Sequence, residues 1–402
     1  MMSFPARSRR RYGLYGLVVA TLLLIGTSAF AQSTSGILPD PITSSELNEY
    51  AERLGLSSGQ RRAMGQLYER YHQRFRELRD GEIADFLRSM QGMDRRMEMP
   101  PRDQIEKFQK DSDRVRTRIR TLDDSFFADI QVLLTDQQLL ELPRVRLARE
   151  RHRLQPNIKT IMGGRAFDLS SELLDMDLSP QEFEQIDPIL ADYEIRLTRA
   201  MKKSHAASQS MMMDLHDAMS DLGYDEDSFE NPDDFESMQE MMKAIRTAMR
   251  EISTRMNETV LALQEVNLRT YRKIMPRLEE STKRPFRRDF FSKGFPVLGI
   301  AVPEIHLDRF DIALSSEEID ADIRRSLESS RAELREAEDR WYRDLLDYVE
   351  HHAPPPFFLF LGELEFEDEQ QEKQQELNRR SRALEEKAQK SFRNLIPSER
   401  QE

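Results

Sequence analysis

The chain has 402 residues, of which 33% are charged and 38% hydrophobic, a net charge of −13 and no cysteine. The absence of thiols excludes disulfides, thiolate catalysis and cysteine zinc sites, and the acidic balance disfavours nucleic acid as a partner. Length allows two or three domains, and this mix of charge and apolarity fits long amphipathic helices better than one thick core.

Residues 1–31 read as a signal peptide. Arg7, Arg9, Arg10 and Arg11 precede an apolar run from Leu14 to Phe30 that closes on Ala29-Phe30-Ala31, the order of an export leader. A retained signal anchor is the competing reading, because the run nearly reaches a spanning length. Ser8-Arg9-Arg10-Arg11-Tyr12 also loosely resembles a twin-arginine signal. Cleavage after Ala31 removes four arginines and no acid, which takes the charge to −17. Charges break every later apolar stretch, so the expectation is a soluble periplasmic or secreted protein without a transmembrane segment after cleavage.

Periodicity predicts an all-α fold of three consecutive long antiparallel helical hairpins. Unit 1 covers 43–152, a connector 153–177, unit 2 178–285, an aromatic connector 286–313 and unit 3 314–402. In unit 1, Ser57 to Glu98 would make ~60 Å of helix, Met99-Pro100-Pro101 turns the chain, and the return helix carries a heptad seam. That seam comprises Ile105, Phe108, Ser112, Val115, Ile119, Leu122, Phe126, Asp129 and Leu133. Unit 2 repeats the pattern with Phe183, Ile186, Leu190, Tyr193, Leu197 and Ala200, an acidic loop from Asp221 to Asp234, then Met238, Met242, Ile245, Met249, Ile252, Met256, Thr259, Leu263 and Val266. Unit 3 has Ile323, Leu327, Leu334, Trp341, Leu345 and Tyr348, a turn at Ala353-Pro354-Pro355-Pro356, and Leu377, Leu384 and Phe392. Leu142-Pro143 and Met275-Pro276 read as the ends of the second helices, and their similar distance to the next cap supports a duplicated unit.

Four helix starts share one form: Leu56-Ser57-Ser58-Gly59-Gln60, Leu134-Thr135-Asp136-Gln137-Gln138, Leu178-Ser179-Pro180-Gln181-Glu182 and Leu314-Ser315-Ser316-Glu317-Glu318. Each sets a hydroxyl three residues before Gln60, Gln138, Glu182 or Glu318, the spacing of a capping box. The preceding leucine can staple onto Leu139, Phe183 or Ile319 in three of the four.

The first two of these motifs resemble the LTxxQ signature of the Spy/CpxP family of periplasmic helical proteins. That resemblance implies an ATP-independent, stress-related chaperone or sensor fold, usually dimeric, with a cradle-like surface for unfolded clients; some relatives bind metal, zinc among them. The chain departs from the pattern in being two to three times the usual family length and in carrying Glu182 and Glu318 where the family has glutamine.

Candidate sites are few. His205, Met212, His216 and Met219 fall within roughly 60° of helical arc, and imidazole with thioether suits copper(I) or silver(I). The same residues also suit plain packing against Met238, Met241 and Met242. The run Arg144, Arg146, Arg149, Arg151 and Arg153 reads as a solvated helix face, with docking of an anionic partner as the alternative. The acidic loop lacks the ligand spacing and glycine of a calcium loop, and Gly163-Gly164 lacks the lysine of a phosphate loop. The segment Pro285 to Phe310 is the most apolar irregular stretch and is expected to pack between hairpins. With no catalytic motif recognisable, the expectation is a non-enzymatic binder of unfolded or partner proteins, acting without nucleotide and as a homodimer. An envelope scaffold or a soft-metal sensor is the alternative.

Overall fold

The computed structural model describes residues 38–93, 101–162, 167–221, 235–295, 298–316, 319–352 and 368–395. The leader at 1–31, the turns at Pro100, Pro232 and Pro354, Gly163-Gly164 and Glu318 lie outside these residues. The protein is all-α, about 86% helical, with no strand among the described residues. It divides into two compact units, residues 1–279 and 280–402.

In the first unit, α1 (Ser44–Arg53) is followed by α2 (Ser58–Leu78), a π-helical turn (Arg79–Ile83) and α3 (Ala84–Met93), then α4 (Arg102–Gln131). Leu54 ends α1, and Gly55 follows at φ +57, where its N–H reaches Glu52 O and Leu56 N reaches Ala51 O. That left-handed turn is a natural place for glycine. Helix α4 returns antiparallel along α2, with Gln60 against the carbonyl of Leu133, Tyr71 against Asp123 and Glu82 against Arg118. The apolar seam makes the core, since Ile105, Val115, Ile119 and Phe126 are buried, although Asp129 points outward and Asp123 is fully buried.

Leu142-Pro143 does not close a helix. After the single turn α5 (Asp136–Leu139), those residues open α6 (Leu142–Met162), because proline in a first helical turn gives up no hydrogen bond. Much of the expected connector is therefore helical, with α6 running to Met162 and a short α7 (Leu169–Leu174) after it. Next come α8 (Pro180–Asp221) and its partner α9 (Phe235–Ile274), packed along each other. Helix α6 lies parallel to the first half of α8, as Arg144 with Asp187 and Lys202 with Glu150 show. The second half of α8 runs antiparallel to α4, through Arg102 with Asp217 and Gln109 with the carbonyl of Gln209. These contacts place residues 43–152 and 178–279 in one compact unit rather than two. Ile186, Leu190, Tyr193 and Leu197 face inward, but Phe183 is 40% exposed.

In the second unit, α10 (Glu280–Gly294) takes up the first third of the expected aromatic connector, with Phe286, Phe290 and Phe291 buried. Residues 299–306 are irregular, with Gly299 at φ +59, and α11 (Leu307–Ser315), α12 (Ala321–His351) and α13 (Asp368–Leu395) follow. Ser315 caps no helix start. It is the last residue of α11, its hydroxyl donates to Ile312 O at 2.7 Å, and Asp320 caps α12 instead by accepting from Asp322 N at 2.7 Å. Leu307 and Phe310 bury α11 in the core and carry the helix through Leu314-Ser315, while aspartate serves as a cap as well as serine does. Helices α12 and α13 pack together around Leu327, Leu334, Trp341 and Leu377.

Candidate functional site

Two capping motifs meet at one end of the first hairpin. Ser57 Oγ accepts from Gln60 N at 3.4 Å, and Ser57 N donates to Gln60 Oε1 at 2.9 Å. Thr135 and Gln138 repeat this at 3.4 and 3.0 Å. Each glutamine also has an amide to spare. Gln60 Nε2 donates to Leu133 O at 2.7 Å and to Gln138 Oε1 at 2.8 Å, and Gln138 Nε2 donates to Gly55 O at 3.1 Å and to Gln60 Oε1 at 3.3 Å. Only a side chain that both donates and accepts can serve the cap and the crossing contact together.

The third motif shows what a carboxylate does at this position. Glu182 Oε2 accepts from Ser179 N at 2.9 Å, and Glu182 Oε1 accepts from Glu279 N at 2.8 Å, just before α10 begins. Here the partner is itself a donor, so an acceptor suffices.

Around the glutamine junction stand two side chains without cover. Val132 is 85% exposed and Leu140 75%, one on each side of the Thr135 cap. The turn that carries them is held by the two boxes and the Gln60–Gln138 pair, so both are presented from a fixed backbone.

Of the arginine run of α6, Arg149 and Arg151 are buried and Arg144 and Arg153 half-buried, which neither the solvated-face nor the docking reading anticipates, while Arg146 stays exposed. Arg149 Nε donates to Asp123 Oδ2 at 2.7 Å, Nη1 to Glu46 Oε1 at 3.1 Å and Nη2 to Asp40 O at 2.7 Å. Tyr71 donates to Asp123 Oδ1 at 2.8 Å, Arg153 reaches Asp123 Oδ2 at 3.2 Å, and His152 Nδ1 lies 2.7 Å from Glu46 Oε1. Burial alone would raise the Glu46 carboxyl, but the His152 hydrogen bond and the charges of Arg149 and His152 outweigh it and hold the group down to about 2. Fully buried Arg151 donates to Asp168 Oδ2 at 2.5 Å and to Ser170 Oγ at 3.0 Å, while Arg144 pairs with Asp187 and Glu194. Arg146 lies 6.0 Å from the Phe127 ring. These partners are up to 109 residues away in sequence, so no local pattern announces them.

The histidine and methionine stretch is described in part. His205 Nε2 lies 2.5 Å from Arg116 Nη1. Burial first, and Arg116 second, push that imidazole down to about 4. His216 Nδ1 sits 3.6 Å from Asp217 Oδ1. The side chains of Met212 and Met219 lie outside the described residues, as do those of Met238, Met241 and Met242. Among the described residues no three His, Asp or Glu groups converge as metal ligands.

A shallow open groove of about 600 Å³ lies beside the π-helical turn, between Arg74, Glu77 and Gly81 on one side and Arg118 and Thr121 on the other. Its walls carry both signs of charge, and Glu82 is taken by Arg118 at 3.3 Å. The chain matches no family model, no curated protein and no solved structure.

Proposed function

We propose that this is an exported, non-enzymatic binding protein that holds unfolded or partner proteins on the flanks of its helical hairpins without nucleotide. The single observation that carries this reading is the pair Val132 and Leu140, exposed on either side of a turn whose backbone is held by reciprocal glutamine bonds. A pre-organised apolar pair loses little entropy on contact, which favours binding. Ile195 and Leu261 add further exposed apolar side chains on α8 and α9 of the same unit, and Ile312 does so on α11 of the second unit. The packing of α2 on α4, α8 on α9 and α12 on α13 supports a design of three consecutive hairpins. Export is supported by the arginine-led apolar segment that ends at Ala31 and by the absence of cysteine.

The test is suppression of aggregation of several unfolded clients at stoichiometric amounts, for the wild type and for Val132→Ser with Leu140→Ser. The wild type suppresses and the double variant loses most of the effect. Wild-type protein that leaves every client's aggregation unchanged overturns the proposal.

A further inference from the structure

Residues 299–306 of the second unit belong to no helix and find no strand to pair with among the described residues, yet backbone donors and acceptors in such a segment need partners. Side chains of two helices supply them. From α13, Gln374 Nε2 donates to Leu298 O at 2.5 Å, and Asn378 Nδ2 donates to Gly299 O at 3.0 Å. Ala301 N donates to Asn378 Oδ1 at 2.8 Å, and Glu304 N donates to Glu385 Oε1 at 2.9 Å. From α10, Arg284 Nη2 donates to Ile305 O at 2.8 Å while Arg284 Nε pairs with Glu338. Along its second half exposure alternates: Pro303 and Ile305 are buried, while Glu304 and His306 face outward.

The spacing fits a continuous track. Gln374 to Glu385 spans ~16 Å along a helix, which is below the ~20 Å limit of seven fully extended residues, and Gly299 at φ +59 shortens the strap from that limit. The two run in the same direction, and the contacts fall four and seven residues apart on one helix face. Asn378 clamps one backbone carbonyl and one backbone amide with a single side chain, a grip that reads main chain and ignores sequence.

We propose that the face of α13 bearing Gln374, Asn378 and Glu385, completed by Arg284, is a binding track for non-helical polypeptide main chain, occupied in cis by the strap 298–306 and opened when a non-helical segment of an unfolded protein displaces it. The proposal rests on the reading of this protein as a polypeptide binder and adds the mode of recognition, main-chain hydrogen bonding with coarse apolar pockets. A tethered strap competes at an effective concentration in the millimolar range, so free segments bind weakly until the strap is loosened.

The experiment uses the full chain and a labelled peptide of residues 298–306, with binding followed by anisotropy. Gly299→Val loosens the strap and spares the track: Gly299 sits at φ +59, where a β-branched residue is strained, and an added Cβ would meet the mobile end of Gln374 at 3.3 Å. Gly299→Val binds the peptide at least about tenfold more tightly than the wild type. Adding Asn378→Ala, which keeps a good helix former in α13, returns about tenfold, the loss expected for two backbone hydrogen bonds. A peptide N-methylated at the positions of Ala301 and Glu304 binds at least tenfold worse.

Equal affinity of wild type and Gly299→Val, or equal binding of the methylated peptide, overturns the track. Should Gly299→Val fail to fold, hydrogen exchange at the Ala301 amide decides the question, with protection in the wild type that falls about tenfold in Asn378→Ala. An unprotected wild-type amide refutes the proposal. Client aggregation, assayed separately through Val132 and Leu140, distinguishes the two readings: suppression without the peptide gain sinks the track alone, and the peptide gain without suppression sinks the proposed function alone.

Discussion

Replacing Asp123 by alanine strands Arg149. The Asp123 carboxylate is fully buried and accepts from Tyr71, from Arg149 twice and from Arg153. Without it Arg149 keeps Glu46 and the Asp40 carbonyl, and the Tyr71 hydroxyl keeps only the Ile42 amide, which donates to it at 3.1 Å. Removing one partner of a buried ion pair costs about 3–5 kcal/mol, since an uncompensated charge stays behind. For a unit of this size that corresponds to a fall of roughly 10 °C in the melting temperature. Replacing both partners, with Asp123→Leu and Arg149→Met, is expected to recover more than half of the loss, because the paired charges contribute little net stability once their desolvation is counted. Urea and thermal unfolding followed by circular dichroism measure both. A single variant that costs under about 1 kcal/mol would show that the guanidinium is not held as described.

Three further outcomes follow from the same contacts. Because the His205 imidazole is pushed down to about 4 from 6.5, the unfolded chain takes up a proton first as pH falls, so stability declines between about 6.5 and 4, by at most about 3 kcal/mol. His205→Gln retains an acceptor for Arg116 and should flatten that slope; an unchanged slope refutes the assignment. Glu46 is held at about 2 against 4.5, so its contribution of up to about 3 kcal/mol is present above pH 4.5 and vanishes as pH falls toward 2. The acid limb of Glu46→Gln should therefore be shallower than that of the wild type, and coincident limbs would count against it. Gln138→Glu sets a carboxylate against Gly55 O and Gln60 Oε1 and should cost about 1–3 kcal/mol, whereas Glu182→Gln, facing the Glu279 amide, should cost far less; equal costs would remove the distinction drawn between the two motifs.

What the sequence carries legibly is what lies close in sequence. A capping box links residues three apart, so those at Ser57, Thr135 and Ser179 could be read from spacing alone. Apolar seams repeat every three or four residues, and Val115, Ile119, Leu190 and Leu197 occupy the core they imply. Ser315 has the same local signal and fails, since burial of Leu307 and Phe310 keeps Ser315 within α11 as its last residue. The arginines of α6 were illegible because their meaning lies in Asp123, Glu46 and Asp168, on other elements. The track on α13 was hidden likewise, for Gln374, Asn378 and Glu385 look like any polar helix face until the strap is laid across them.

The buried charges also explain why the glutamine junction forms where it does. An apolar heptad seam is nearly degenerate to a shift of one heptad, since each stripe offers the same kind of surface after seven residues, and a polar residue in the seam is what commonly fixes register. Tyr71 can donate to Asp123 in one register of α2 on α4, and Arg149 can reach Asp123, Glu46 and the Asp40 carbonyl together in one placement of α6. Sliding either helix by a heptad, about 10 Å, would leave buried charges unpaired at a cost of several kcal/mol. With that register set, Gln60 necessarily lies opposite Gln138, and the turn between α4 and α6 closes with Val132 and Leu140 outside. The polar interior of the first unit thus determines which apolar side chains the surface presents.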